Sequence, residues 1–85
     1  MPKSIFTDAY AGMIEELVRA RTEASLTQAE LSARLGKPQP FISKIEGGVR
    51  RIDVIEFCAI ARALEVAPEV LFARVLGHLP AELQI

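Results

Sequence analysis

The groups in this 85-residue chain that could do chemistry are mostly cations and amides, and they gather in one stretch. From Leu17 to Arg51 stand seven basic residues, Arg19, Arg21, Arg34, Lys37, Lys44, Arg50 and Arg51. Three acids oppose them there, Glu23, Glu30 and Glu46, leaving a local +4. The remainder sets Lys3, Arg62 and Arg74 against eight acids, so the whole chain carries only −1. A basic middle between acidic ends is the pattern that a one-sided phosphate footprint requires. Ordinary scatter of surface charge is the competing reading.

Acid–base, nucleophilic and metal chemistry find little footing. His78 is the single histidine and has no ligand partner at helical spacing, so it reads as a residue at the end of a helix. Cys58 is the single cysteine, within the apolar run Phe57-Cys58-Ala59-Ile60, and reads as a buried small hydrophobe rather than a nucleophile or an intersubunit bridge. The carboxylates read mostly as capping and solvent-facing groups, and no glycine-rich loop cradles phosphate. The chain is therefore not expected to be an enzyme, nor to need a cofactor, a metal or a small-molecule ligand. A lone thiol and no signal peptide fit a reducing cytosol. Met1-Pro2-Lys3-Ser4 is followed by no long apolar run, so no membrane segment is expected. Hydrophobic residues make up 51%, much for so short a chain, and a partner subunit could cover the excess.

The elements that would position the cations are helices. β-branched alternation over a strand length never appears. The spacing predicts five helices in one domain, at about 8–24 (from Thr7 or Asp8), 27–35, 38–47, 53–64 and 68–77. Tyr10, Met13, Ile14, Leu17, Val18 and Arg21 recur at three- and four-residue intervals and make one stripe. Thr27-Gln28-Ala29-Glu30 and Asp53-Val54-Ile55-Glu56 are capping boxes that open the second and fourth helices. Leu31 and Leu35 face the core, and Gly36 stops the second helix where a left-handed backbone is needed. Pro38 and Pro40 fit a first turn, whose amides are unpaired anyway. Ile42 and Ile45 point inward, and Gly47-Gly48 closes that element. Phe57, Ile60, Ala61 and Leu64 form one apolar face, and Leu71, Phe72, Val75 and Leu76 another. Only two or three residues around Gly36 separate the second and third helices, the plan of a helix-turn-helix.

The ordered set Leu26-Thr27-Gln28-Ala29-Glu30-Leu31, Leu35-Gly36, Gln39, Ile42-Ser43-Lys44-Ile45-Glu46, Gly48 and Arg50-Arg51 closely resembles the phage-repressor and Cro type of helix-turn-helix, the XRE family. The resemblance runs from about Leu17 to Phe72. It implies an all-α, compact five-helix, lambda-repressor-like domain whose helix 38–47 enters the major groove while the preceding helix crosses the backbone. By the same resemblance Gln28 touches a phosphate beside its helix start. Gln39 takes the first base-reading position, where a glutamine can pair bidentately with adenine. Pro40, Ser43 and Lys44 take the other groove-facing positions. Lys37, Arg50 and Arg51 flank the recognition helix as backbone contacts, which set register rather than sequence. Phe41 stands between groove edge and packing. Arg21 and Glu46 match a partly buried salt bridge and are assigned to structure. Gln28, Lys44, Arg50 and Arg51 each have a plain reading as solvated surface, and Ser43 one as a residue that contacts nothing.

Several positions depart from the family pattern. Ser25 and Glu65 stand where glycine usually closes a helix, so each is expected to take a left-handed backbone at about 1 kcal/mol. Pro38 replaces a hydroxyl cap worth about 1 kcal/mol. Ile52 replaces a frequent proline. The resemblance implies a DNA-binding transcriptional regulator, a repressor that docks as a homodimer on a palindromic operator, with 71–85 as the dimerisation segment. Controller of a restriction–modification system, antitoxin, and phage or prophage repressor all stay open. The expected location is the cytoplasm, nucleoid-associated and bacterial or phage-encoded. The alternative is a protein-interaction module that kept the fold and lost DNA binding, a reading motivated by the acidic ends and a pI near 5.8.

Overall fold

The computed structural model describes residues 8–83. Thr7, the other candidate start of the first helix, and Gln84 and Ile85 of the expected dimerisation segment lie outside the described residues. Among the described residues the chain forms five helices and no strand: α1 (Asp8–Glu23), α2 (Gln28–Arg34), α3 (Pro40–Glu46), α4 (Val54–Ala63) and α5 (Pro68–Leu76).

The expected helices are all present, and most boundaries differ by a cap residue. Thr27 and Asp53 are N-caps in extended backbone. Each accepts from the amide three residues on, while Glu30 and Glu56 reach back to the cap amide. The larger correction is α3. It begins at Pro40 rather than residue 38, because Pro38 stays in the turn and its carbonyl accepts the Phe41 amide at 3.0 Å. The connection to α2 is thus Leu35–Gln39, longer than the two or three residues expected. Gly36 sits in it at φ +67°, with open space where a Cβ would stand. Ser25 and Glu65 take φ of 60° and 61°, the left-handed backbone anticipated for both.

One core unites the helices. Tyr10, Ile14, Leu17 and Ala20 of α1 meet Leu31, Ile42, Ile45, Phe57, Ile60, Ala61, Leu64, Leu71 and Val75. Leu31, Ile42, Ile45 and Leu71 are fully buried, each worth roughly 1.5–3 kcal/mol over exposure. Three apolar readings change. Phe72 and Leu76 are about half exposed, because the inner face of α5 is filled by Leu71 and Val75. Phe72 still meets Phe57 edge-on, with ring centroids 6.0 Å apart. Cys58 is only half-buried, on the shoulder of α4 beside the Phe57 and Ile60 face. No described helix is long and apolar enough to cross a membrane.

Glu16 departs most from expectation. It is buried on α1 rather than capping or solvent-facing, and its main partners come from α5 and the residues just after it. Arg74 Nε donates to Glu16 Oε2 at 2.7 Å. His78 Nε2 lies 2.8 Å from Oε1, so His78 ties the chain after α5 to α1 rather than simply ending a helix. Arg74 also donates to Glu23 at 3.0 Å. Burial alone would push the Glu16 carboxyl up; the hydrogen bonds from His78 and Arg74, with the charges of Arg74 and Arg19, bring it below the usual glutamate value.

Candidate nucleic-acid interface

Helices α2 and α3 pack on each other more extensively than any other pair. The missing cap of α3 explains part of that contact. Gln39, at the N-cap, has helical backbone and no side-chain cap bond. Ser32 of α2, fully buried, fills the role from outside the helix. Its hydroxyl accepts the Ile42 amide at 3.1 Å and donates to the Gln39 carbonyl at 3.1 Å. The cap that seems lost at Pro38 is thus supplied across the turn, and it locks the start of α3 to α2. A small polar residue one position after the buried Leu31 was the available signal.

The far end of α3 is held by the expected brace. Arg21 Nε donates to Glu46 Oε2 at 2.7 Å and Arg21 Nη2 to Oε1 at 3.0 Å. Arg21 Nη1 also donates to the Leu26 carbonyl at 2.8 Å. The pair is largely withdrawn from water, with 12% and 8% of the two side chains exposed. Bidentate geometry of this kind fixes orientation as well as charge. Gln28 joins the brace, since its Nε2 donates to Glu46 Oε1 at 2.8 Å.

With both ends of α3 fixed, its outer face is defined. Gln39, Pro40 and Lys44 are exposed and Ser43 is half-buried. The Gln39 amide and the Lys44 ammonium make no hydrogen bond or ion pair with any described residue. The Ser43 hydroxyl donates to the Pro40 carbonyl at 3.1 Å, which leaves its lone pairs open. An unpaired amide, an ammonium and a hydroxyl acceptor on one short helix are groups that hydrogen-bond base edges.

The flanking cations are less simple than the sequence suggests. Lys37 lies over the Phe41 ring, 5.5 Å from its centroid, and Arg50 shares that ring at 5.0 Å. Phe41 is half-buried against the core and carries both cations. Arg50 also grips Glu56, Nη1 to Oε1 at 2.9 Å and Nη2 to Oε2 at 2.6 Å. Arg51 sits 4.1 Å over the Tyr10 ring, whose hydroxyl accepts the Ile52 amide at 2.9 Å. A cation over a ring face is attracted by the ring's quadrupole. The pairing with Glu56 and the aromatic seats escaped the sequence reading, because both join residues from different elements.

The helix-turn-helix family model matches residues 17–71. A solved XRE-family like protein from Pseudomonas syringae pv. tomato str. DC3000 is 42% identical, with a TM-score of 0.77 over 85% of this chain and 88% of that one. The chain belongs to the XRE family of helix-turn-helix proteins. No curated protein matches it. Membership makes this XRE-family chain a DNA-binding transcription regulator with an all-α domain. The match covers α2 and α3 entire, together with the residues of the Arg21–Glu46 brace.

Proposed function

We propose that this chain reads duplex DNA sequence-specifically by placing the outer face of α3 in the major groove, and that it acts as a repressor. The observation that carries the reading is a short helix aimed by two fixed ends, Ser32 at one and Arg21–Glu46 at the other, with the polar groups of Gln39 and Lys44 left unpaired on its open side. In this reading Gln39, Pro40, Ser43 and Lys44 meet base edges. Gln28, Lys37, Arg51 and, when it parts from Glu56, Arg50 contact the backbone, Gln28 with the part of its amide that Glu46 does not use.

The acting species is a homodimer on a palindromic operator with half-sites about one turn, roughly 34 Å, apart. Exposed Val70, Phe72, Leu76 and Leu83 support that assignment, since apolar groups on and after α5 remain uncovered by the core. The proposed setting is the cytoplasm.

Binding of a labelled nonspecific duplex over a range of salt concentrations tests the reading. Contacts to about six phosphates give a log–log slope near −5. A flat response would favour a protein-interaction module. On a selected operator, Gln39→Ala combined with Lys44→Ala should erase the preference for operator over nonspecific duplex; unchanged preference would move the readout off α3.

A further inference from the structure

Glu56 holds two partners for two different reasons. As the third residue of α4 its Oε1 accepts the Asp53 amide at 3.0 Å, which completes the capping box. That duty needs an acceptor oxygen and not a charge, because glutamine serves it equally. The charge goes to Arg50, gripped at both carboxylate oxygens. Arg50 Nη1 donates besides to the Arg51 carbonyl at 3.1 Å. The Arg50 amide bonds the Lys44 carbonyl at 3.1 Å, so this guanidinium stands at the exit of α3. Lys37 stands at the entry, and both lie on the Phe41 ring. Leu35, Lys37, Phe41, Glu56 and Ala59 line a small open hollow of about 80 Å³.

We propose, resting on the DNA-binding reading, that Glu56 is an affinity-setting residue: it occupies Arg50 in place of a DNA phosphate and so weakens the grip of this face on any duplex. A carboxylate presents the same forked acceptor to a guanidinium as a phosphate does. Held this way, Arg50 offers little net charge to the backbone, and Glu56 repels an approaching phosphate. Arg50 and Glu56 are partly exposed, so the pair can open. Phe41 keeps Arg50 within reach of α3 in either state. The side chain that neutralises this cation sits outside the recognition helix, so it changes affinity without touching the groups that read bases. Hydrogen bonding from Arg50, then from the Asp53 amide, holds the Glu56 carboxyl at about 2, so it is charged at every pH at which the fold would bind DNA.

The experiment is fluorescence anisotropy of the whole chain on a labelled nonspecific duplex across salt concentrations, for wild type, Glu56→Gln, Arg50→Ala and the double variant. Circular dichroism melting confirms that each is folded. Glu56→Gln, which keeps the cap, should bind about two- to fivefold more tightly, the scale of an exposed ion pair. Its log–log slope should steepen by up to about 0.9, one phosphate contact. Arg50→Ala should remove that gain and weaken binding more in the Glu56→Gln background than in the wild type. Unchanged affinity and slope in Glu56→Gln overturn the proposal while leaving DNA binding in place. So does a gain of full size without Arg50, because bulk charge alone would then explain it. If Glu56→Gln proves too unstable to assay, Arg50→Ala alone decides: a wild-type slope that falls by a whole phosphate contact shows that Glu56 was withholding nothing. A wild type that binds no duplex overturns this proposal and its parent reading together.

Discussion

Two carboxylate clusters tie α1 to other elements, one through Arg21 and one through Glu16, and they do different work with the same chemistry. Near the C-terminal end of α1, Arg21 and Gln28 close on Glu46 of α3. Five residues earlier on α1, Arg74 and His78 close on Glu16. In the first both partners are deep, the arginine 12% and the carboxylate 8% exposed, and the carboxylate belongs to α3. In the second the carboxylate is deepest, 3% exposed, and Arg74 and His78 are 32% and 26% exposed. Loss of Glu46 therefore strands a cation, whereas loss of Arg74 strands an anion. On the proposed reading one cluster aims the DNA-facing element, and the other fastens α5, which bears the exposed apolar side chains proposed for dimerisation.

Glu46→Ala should do the most damage. It removes all three acceptor contacts of the brace and leaves Arg21 mostly buried, at about 3 kcal/mol. Thermal melting should show the loss, and duplex binding at a temperature where the variant is still folded should fall with it. Binding that survives intact would detach the brace from the aim of α3. Arg74→Ala should come second, at about 2 kcal/mol, since His78 still meets Glu16. Its effect on nonspecific duplex binding by folded protein should be small. If it weakens binding as much as Glu46→Ala does, the two clusters are not separate in function.

Acid tests the Glu16 cluster by another route, together with Glu30 and Glu56 outside both clusters. Glu16, Glu30 and Glu56 all have depressed values in the fold, Glu56 falling from 4.5 to about 2. A depressed folded value favours the folded state when the group is ionised, so that stability is complete above the ordinary value. It is lost as pH falls from about 4.5 toward 2. Melting temperature against pH should drop through this window. Stability that rises on acidification would contradict the assigned pairs. The smallest effect belongs to Ser25 and Glu65. Replacing either with glycine relieves a left-handed backbone but loosens the unfolded chain, so each should gain about 0.5 kcal/mol in denaturant titration.

What could be read beforehand was local or tied to the family spacing. Both capping boxes, the α1 stripe and the Gly36 turn follow from neighbours within four positions, and the two left-handed residues from the family's glycine positions. The Arg21–Glu46 brace spans 25 residues, and only the family pattern made it legible. Glu16 had no such help. It sits one position from Leu17, on a buried face wider than the stripe, and its partners lie 58 and 62 residues away. Ser32 as an outside cap and Glu56 as a partner for Arg50 were hidden likewise, because each needs the packing of two helices to be known. The late start of α3 has a similar cause: a proline at either position satisfies local rules, and the Ser32 contact decides between them. Of the candidate reading face, residue types were legible, but their freedom from partners was not.

The account turns on which face meets DNA. The direct measurement is an NMR titration of the isotope-labelled chain with a duplex of about two helical turns, following backbone amides and the Gln28 and Gln39 side-chain amides. The account predicts that shifts concentrate at Gln28, at residues 37–44 and at Arg50 and Arg51, and fade as salt is raised. Shifts confined to α5 and the residues after it, with α3 unmoved, would contradict it.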